Sequence, residues 1–238
     1  MRVFPIGVGT AFGRRFFNTN FVIEFDSKEF LLVDCGTTAS RSLETIGMSV
    51  LDVKNLFISH LHADHIGGVE ELALKTRLIL GRKINLYINE KLVDGFWQSV
   101  RGGIEHTQLG RLEIDDYFNV LPYEERFDLD GVEFSSHPTN HINGMMSFDI
   151  GFGDLLLTSD TVFSRDYVVC RAQGFTTVVH DCSFNDFQRV HARFQDLIRN
   201  RDLFNHLYII HYEDSIEKHK RTIQSAGMKI CRQYTDIV

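Results

Sequence analysis

The stretch "SHLHADHIGG", residues 59–68, places three histidines and an aspartate within six consecutive positions of a chain with eleven histidines in all. The apolar run "NLFI" leads into it, and the pair Gly67-Gly68 permits a tight start to a helix beyond it. Near neutral pH histidine offers zinc or a similar first-row metal an uncharged ring nitrogen, and aspartate adds charge. His60 and His62, two apart on a strand end, point the same way because side chains alternate, while Asp64 and His65 lie on the turn. One ion seldom takes all four groups, and a catalytic zinc keeps a position open for water. The pattern therefore reads as part of a two-ion site whose remaining ligands lie later in the chain.

Strands are expected at 20–25, 30–36, 55–60, 84–90, 146–152, 154–160, 176–181 and 206–211, where short runs rich in Val, Ile, Leu and Phe recur. Helical patterns fall at "SRSLETIG", "GVEELALKTRLI", "RVHARFQDLIRN" and "SIEKHKRTIQSAG". Four strands stop at a potential ligand, in "LFISH", "LLLTSD", "TVVHD" and "LYIIH", giving His60, Asp160, His180 or Asp181, and His211. In open α/β sheets the ligand crevice lies outside the strand ends, so four such endings suggest one shared site.

A length of 238 residues, 43% hydrophobic and 24% charged, fits a single globular α/β domain spanning 1–238. No window approaches the roughly eighteen continuous apolar residues of a membrane span, and "MRVFPIGVGT" lacks a signal peptide's apolar run. A soluble, cytoplasmic protein with no membrane partner is expected. Cys35, Cys170, Cys182 and Cys231 are scattered, which suggests neither a disulfide framework nor a cysteine metal site. A net charge of −7 argues against stable nucleic-acid binding, and "GRR" at 13–15 reads as a solvated loop.

With its motif and strand endings, the chain resembles the metallo-β-lactamase superfamily. The blocks that carry the resemblance are "SHLHADH", "PTNHINGMMSF", "LLLTSDT" and "LYIIHY", with "IGVGTAFG" and "LLVDCG" near the start. It implies an α/β fold, a four-layer αβ/βα sandwich with two metals at one sheet edge. It further implies His60, His62 and His141 on one metal, Asp64, His65 and His211 on the other, and Asp160 bridging. His137, four residues before His141, is the alternative to it, and the apolar run "MMSFDIGF" after His141 favours His141. The metals implied are two divalent ions per chain, zinc or manganese.

Within the superfamily the chain resembles the tRNase Z-like branch. Its ligand set includes Asp64, His65 and Asp160 without the cysteine of zinc β-lactamases, and "TSDT", "VVHDCSF" and "IIHY" run in that branch's order. Asp181 stands where those enzymes carry a glutamate. The block "QRVHARFQDL" sets His191 at the head of an expected helix, where they carry a histidine that assists the leaving group, and that helix end could also help hold a phosphate. Asp64 and His191 are the catalytic residues the resemblance implies, with His180 and Asp181 orienting ligands from behind. His106, His206 and His219 read as surface residues.

The chain shows none of the Gly/Pro-rich arm by which tRNA-processing enzymes grip tRNA, so a small diester fits better than folded RNA. "HDCSF", "VHARFQDL" and "IIHYED" look closest to the anti-Pycsar cyclic nucleotide phosphodiesterases. The resemblance implies hydrolysis of 3′,5′-cyclic nucleotides and a homodimer. The alternatives are a tRNase Z-like RNA 3′-end endonuclease, a lactone or thioester hydrolase, and a non-catalytic cyclic-nucleotide-binding protein. A base needs an aromatic surface, and segment 95–123 offers Trp97, Tyr117 and Phe118 in an expected lid or dimer-contact insertion.

Overall fold

The run Asn55–Ile58 is buried at every position, as a parallel strand covered on both faces should be. In the computed structural model, which describes residues 1–237, it lies parallel to Phe30–Val33 on one side and to Ile84–Asn89 on the other. The full sheet of six strands runs Arg2–Gly7, Asn20–Glu24, Phe30–Val33, Asn55–Ile58, Ile84–Asn89 and Phe118–Tyr123. Its first three strands are antiparallel neighbours, and from Phe30–Val33 onward the pairing is parallel.

This sheet belongs to the first of two compact units, which comprises Met1–Gly7, Phe17–Glu124 and Gln233–Val238. The helices Ala39–Thr45, Val69–Leu80 and Val93–Ile104 fall between or before its parallel strands. Val69–Leu80 carries Glu70 and Glu71 in its first turn and stops at Gly81, whose left-handed backbone (φ +63°) returns its N–H to Arg77. One polar feature runs through the sheet. Asn119 donates to Asn85, Asn85 donates to Asn55, and Asn55 donates to the Phe30 carbonyl, at 3.0, 2.9 and 3.3 Å. Equivalent register positions bring the three amides together, a relation that single-strand periodicity cannot reveal.

The second unit comprises Val8–Phe16 and Glu125–Arg232. Its sheet of seven strands runs Lys229–Ile230, His206–Ile210, Thr177–Asp181, Leu155–Leu157, Ile150–Phe152, Val132–Ser135 and Arg126–Leu129. The first four pair in parallel and the remainder antiparallel. The expected strand at 146–152 breaks at Asp149, which turns fully inward to accept hydrogen bonds from Arg171 and Tyr167. Burial beside Asp149 pushes the Tyr167 hydroxyl well above the ordinary phenol range. The flanking pieces become Ser147–Phe148, paired with Pro138–Thr139, and Ile150–Phe152 in the main sheet.

Two further expectations change. The helix read over 189–200 starts only at Phe194 and ends at Arg199. His191 therefore precedes the helix, and a helix of six residues that begins beyond it offers no phosphate cradle at His191. Segment 95–123 is no detachable insertion in the first unit: it supplies buried Phe96, Val100 and Ile104 on Val93–Ile104 and the sheet strand Phe118–Tyr123. All four cysteines are free, and burial pushes the Cys35, Cys182 and Cys231 thiols upward, so they are inert packing groups. No helix among the described residues is long and apolar enough to cross a membrane.

Candidate metal centre

In the first unit strand Asn55–Ile58 ends, the chain turns, and His62 directly precedes the short helix Ala63–Ile66. His60, Asp64 and His65 are buried and His62 is half-buried. His60 Nε2 lies 3.1 Å from His62 Nδ1, and His65 Nε2 lies 3.4 Å from Asp64 Oδ2. The other nitrogen of His65 donates to Asp34 Oδ2 at 2.7 Å. That same carboxylate accepts the Ser59 hydroxyl at 2.7 Å and, through Oδ1, the Ser59 N–H at 2.8 Å, so Asp34 aims the ring of His65 and fixes the start of the motif.

Backbone contacts lock this arrangement. Cys35 N–H donates to His65 O at 2.7 Å, and Gly68 N–H donates to Cys35 O at 2.8 Å. Gly36 passes so close to the motif that a Cβ there would stand 2.0 Å from the carbonyl oxygen of Asp64, an approach only glycine permits.

In the second unit three strand endings supply Asp160, Asp181 and His211, and two loops supply His141 and His191. Thr139 and Ser147 hydroxyls donate to the carbonyl of Asp160 at 2.9 and 3.2 Å. His141 donates its Nδ1 proton to Val190 O at 2.6 Å, which turns its Nε2 to within 3.8 Å of Asp160 Oδ2. His211 Nδ1 stands 3.4 Å from Asp160 Oδ1. Asp181, fully buried, accepts from Thr161 N–H at 3.0 Å and from His191 Nδ1 at 2.8 Å, both on Oδ2. His191 lies 3.8 Å from Asp160 Oδ2, and ligand atoms of Asp160, Asp181 and His191 fall within 4.8 Å of one another.

These spacings fit divalent metal binding. A tetrahedral ion with ligand bonds of about 2.0–2.2 Å holds its donor atoms roughly 3.3–3.6 Å apart, longer than an optimal hydrogen bond. Within the two units the pairs His65–Asp64, His211–Asp160 and His141–Asp160 stand at 3.4, 3.4 and 3.8 Å. Each is buried and composed of nitrogen and carboxylate oxygen, and in His65 and His141 a hydrogen bond on Nδ1 leaves Nε2 aimed at the carboxylate. The Asp34, Ser159 and His211 backbones sit in the left-handed region, with φ of 62°, 55° and 57°, where non-glycine residues persist only under strong local constraint.

Other expected residues are placed differently. His137 is half-buried and binds Asp149 through its backbone, whereas His141 is the histidine beside Asp160. His180 is fully buried between Phe163 and Phe204 and donates Nδ1 to the backbone carbonyl of Asp181, so it does not orient a ligand side chain. Burial pushes its pKa down. His106 and His206 are exposed, but His219 stacks on Phe184 with ring centroids 4.2 Å apart. Tyr117 and Phe118 are not presented to a ligand: Tyr117 is buried with its hydroxyl on Ile104 O, and Phe118 packs edge-on against Phe96. Trp97 remains half-buried on its helix. Asp34 and Ser59 were not foreseen as site residues, although "FLLVD" is one more apolar run that stops at an acidic residue.

Known proteins resemble the chain over nearly its whole length. Residues 1–235 match the family described as Anti-Pycsar protein Apyc1. The Anti-Pycsar protein Apyc1 of Bacillus phage vB_BsuM-Goe3 is 32% identical over 232 residues, covering 90% of this chain and 89% of the relative. Among solved structures, a diphosphatase from the PhnP family superposes with a TM-score of 0.78 at 17% identity, covering 99% of this chain and 96% of its own. Human tRNase Z, short form, superposes with a TM-score of 0.71 at 18% identity, covering 100% and 99%. The fold is thus the metallo-β-lactamase fold, and with a match that runs nearly end to end the chain belongs to the Anti-Pycsar Apyc1 family.

Proposed function

We propose that this protein is a di-metal phosphodiesterase that hydrolyses 3′,5′-cyclic nucleotides to nucleoside monophosphates. The observation that carries the reading is the Asp181–His191 pair, 2.8 Å apart, with His191 Nδ1 also 3.8 Å from Asp160. A carboxylate that fixes one imidazole nitrogen beside a ligand carboxylate is the arrangement a positioned proton donor needs. His60, His62 and His141 are the ligands proposed for one ion, Asp64, His65 and His211 for the other, and Asp160 for both. When bound, two divalent ions supply charge stabilisation at the phosphoryl group and an acidified water.

The chain's own residues do the rest. Asp181 holds the His191 ring and places the proton on Nδ1, so Nε2 is the nitrogen that protonates the departing ribose oxygen. Asp34 and the Val190 carbonyl set the orientations of His65 and His141. The name its relatives carry, Anti-Pycsar protein, supports a role against Pycsar signalling, and zinc or manganese suits the nitrogen and carboxylate donors. A homodimer, with Trp97 at the substrate, belongs to the same proposal.

The experiment is metal analysis followed by product analysis with purine and pyrimidine 3′,5′-cyclic nucleotides beside a precursor tRNA. Two ions per chain and release of nucleoside monophosphates are expected. Cleavage of the precursor tRNA alone, or return of every cyclic nucleotide unchanged by the fully metallated protein, would overturn the reading.

A further inference from the structure

We propose that Phe12 and Phe187 form the surface against which the substrate's nucleobase packs; the inference rests on the cyclic-nucleotide reading above. Both lie in the second unit, exposed at 92% and 86%, while the next most exposed large hydrophobic residues of that unit, Met146 and Val169, reach only 48%. Single exposed apolar residues are commonplace. What distinguishes these two is where their loops are anchored.

Phe12 sits in the loop that leaves Val8 and Gly9, whose backbone pairs with Tyr212 directly after His211. The loop turns at Gly13, which donates to Thr10 O at 3.2 Å, and the N–H groups of Arg14 and Arg15 both close on the carboxylate of Asp214 at 3.1 Å. Phe187 sits in the loop that starts after Asp181 and ends at His191. Ser183 and Ala192 close its base at 2.7 Å. The Phe184 N–H donates to Glu213 at 3.0 Å, and the Ser183 hydroxyl donates to the same carboxylate. Asn185 accepts the N–H of Phe187 at 3.0 Å, and Phe184 stacks on His219.

Two consecutive carboxylates, Glu213 and Asp214, thus hold both loops immediately beyond His211. Each loop is ordered by polar contacts at its root and carries a phenyl ring that contributes nothing to the core. A nucleotide bound at Asp160, His191 and His211 brings a flat apolar base that needs such a face, and stacking accepts any base because every base has one. Arg14, exposed on the same loop, adds positive charge suited to an anionic substrate.

The test uses the metal-loaded full chain with 3′,5′-cyclic AMP and 3′,5′-cyclic CMP, reading KM, kcat, Tm and, by calorimetric titration, Kd. Phe12→Ala and Phe187→Ala should each raise KM and Kd about 10-fold with kcat changed far less. Tm should hold, since neither ring packs in the core, and Phe12→Tyr and Phe187→Tyr should restore binding where leucine does not. Val169→Ala, an exposed control in the same unit, should bind and turn over as the parent does. A double alanine variant with the parent's KM and Kd would overturn the proposal. A parent that binds without turnover would defeat the catalytic reading alone, leaving the Kd series to decide the aromatic contact. A parent that binds no cyclic nucleotide would overturn both.

Discussion

With Nδ1 tied to Asp181 at 2.8 Å, His191 has one nitrogen through which to pass a proton. His191→Ala should therefore lower turnover of cyclic nucleotides by roughly 10²–10⁴-fold, while metal content, measured by mass spectrometry, stays at the parent's value. Loss of metal along with activity would instead make His191 a ligand. His180 offers a separate check, through stability. Burial holds its folded-state pKa below the ordinary 6.5, so on acidification the unfolded chain takes up a proton that the folded chain resists. Stability from this group is complete above that ordinary value and declines as pH falls below it. His180→Asn, which keeps a donor for the Asp181 carbonyl, should lose less Tm than the parent between about pH 7.5 and 5.5. At this scale the metal motif was legible because four potential ligands crowd six positions, and His211 because an apolar run stops at it. Asp34 hid in a run whose other residues are core, and the burial of His180 depends on Phe163 and Phe204, which periodicity does not bring together.

Among the elements, the turn at Gly36 and the metal motif meet backbone to backbone. Gly36→Ala would force a Cβ into the Asp64 carbonyl, now 2.0 Å away. The expected cost is about 1–3 kcal/mol, read as a lower denaturation midpoint, together with weaker metal retention because Cys35 N–H bonds the carbonyl of His65. An unchanged midpoint and metal content would show that the two segments separate without penalty. Seven of the eight strands expected from apolar runs appear, most trimmed by a residue or two, and the eighth, 146–152, is split at Asp149; continuous burial in a parallel sheet leaves an unmistakable apolar run. The helix near His191 was overextended because "RVHARFQDLIRN" carries helical periodicity from its first residue. Tertiary bonds override it: Ser183 pairs with Ala192 and Phe194 and draws the first part into a loop. The strand Phe118–Tyr123 went unrecognised because only its first and last residues are fully buried, leaving no continuous apolar run to read.

Across the whole molecule, two sheets of six and seven strands repeat one plan, with parallel strands on one side and antiparallel ones on the other. The α/β class was legible from the alternation of strands and helices, whereas the division into two compact units was not, because the chain crosses between them at Gly7, Phe16, Glu124 and Arg232 without any linker-like composition. Metal removal is the test that belongs to this scale. An ion present at 100 times its Kd stabilises the folded state by about 2.7 kcal/mol, so dialysis against a chelator should lower Tm and restoring zinc or manganese should recover it. An unchanged Tm would mean that the buried histidines and carboxylates hold no ion.

The left-handed backbones of Asp34, Ser159 and His211 give that experiment a local signature. Each corner carries a conformational penalty of about 1 kcal/mol or more, kept in place by its neighbours' bonds and, in the loaded protein, by whatever the ligands grip. Once the grip is released, the corners become the first hinges to open. Hydrogen exchange should quicken at 34–35, 159–160 and 211–212 while Asn55–Ile58 and Thr177–Asp181 keep their protection. The emptied protein would then recover its ions in two stages, a fast capture by ligands still in position and a slower phase set by how quickly three strained corners snap back.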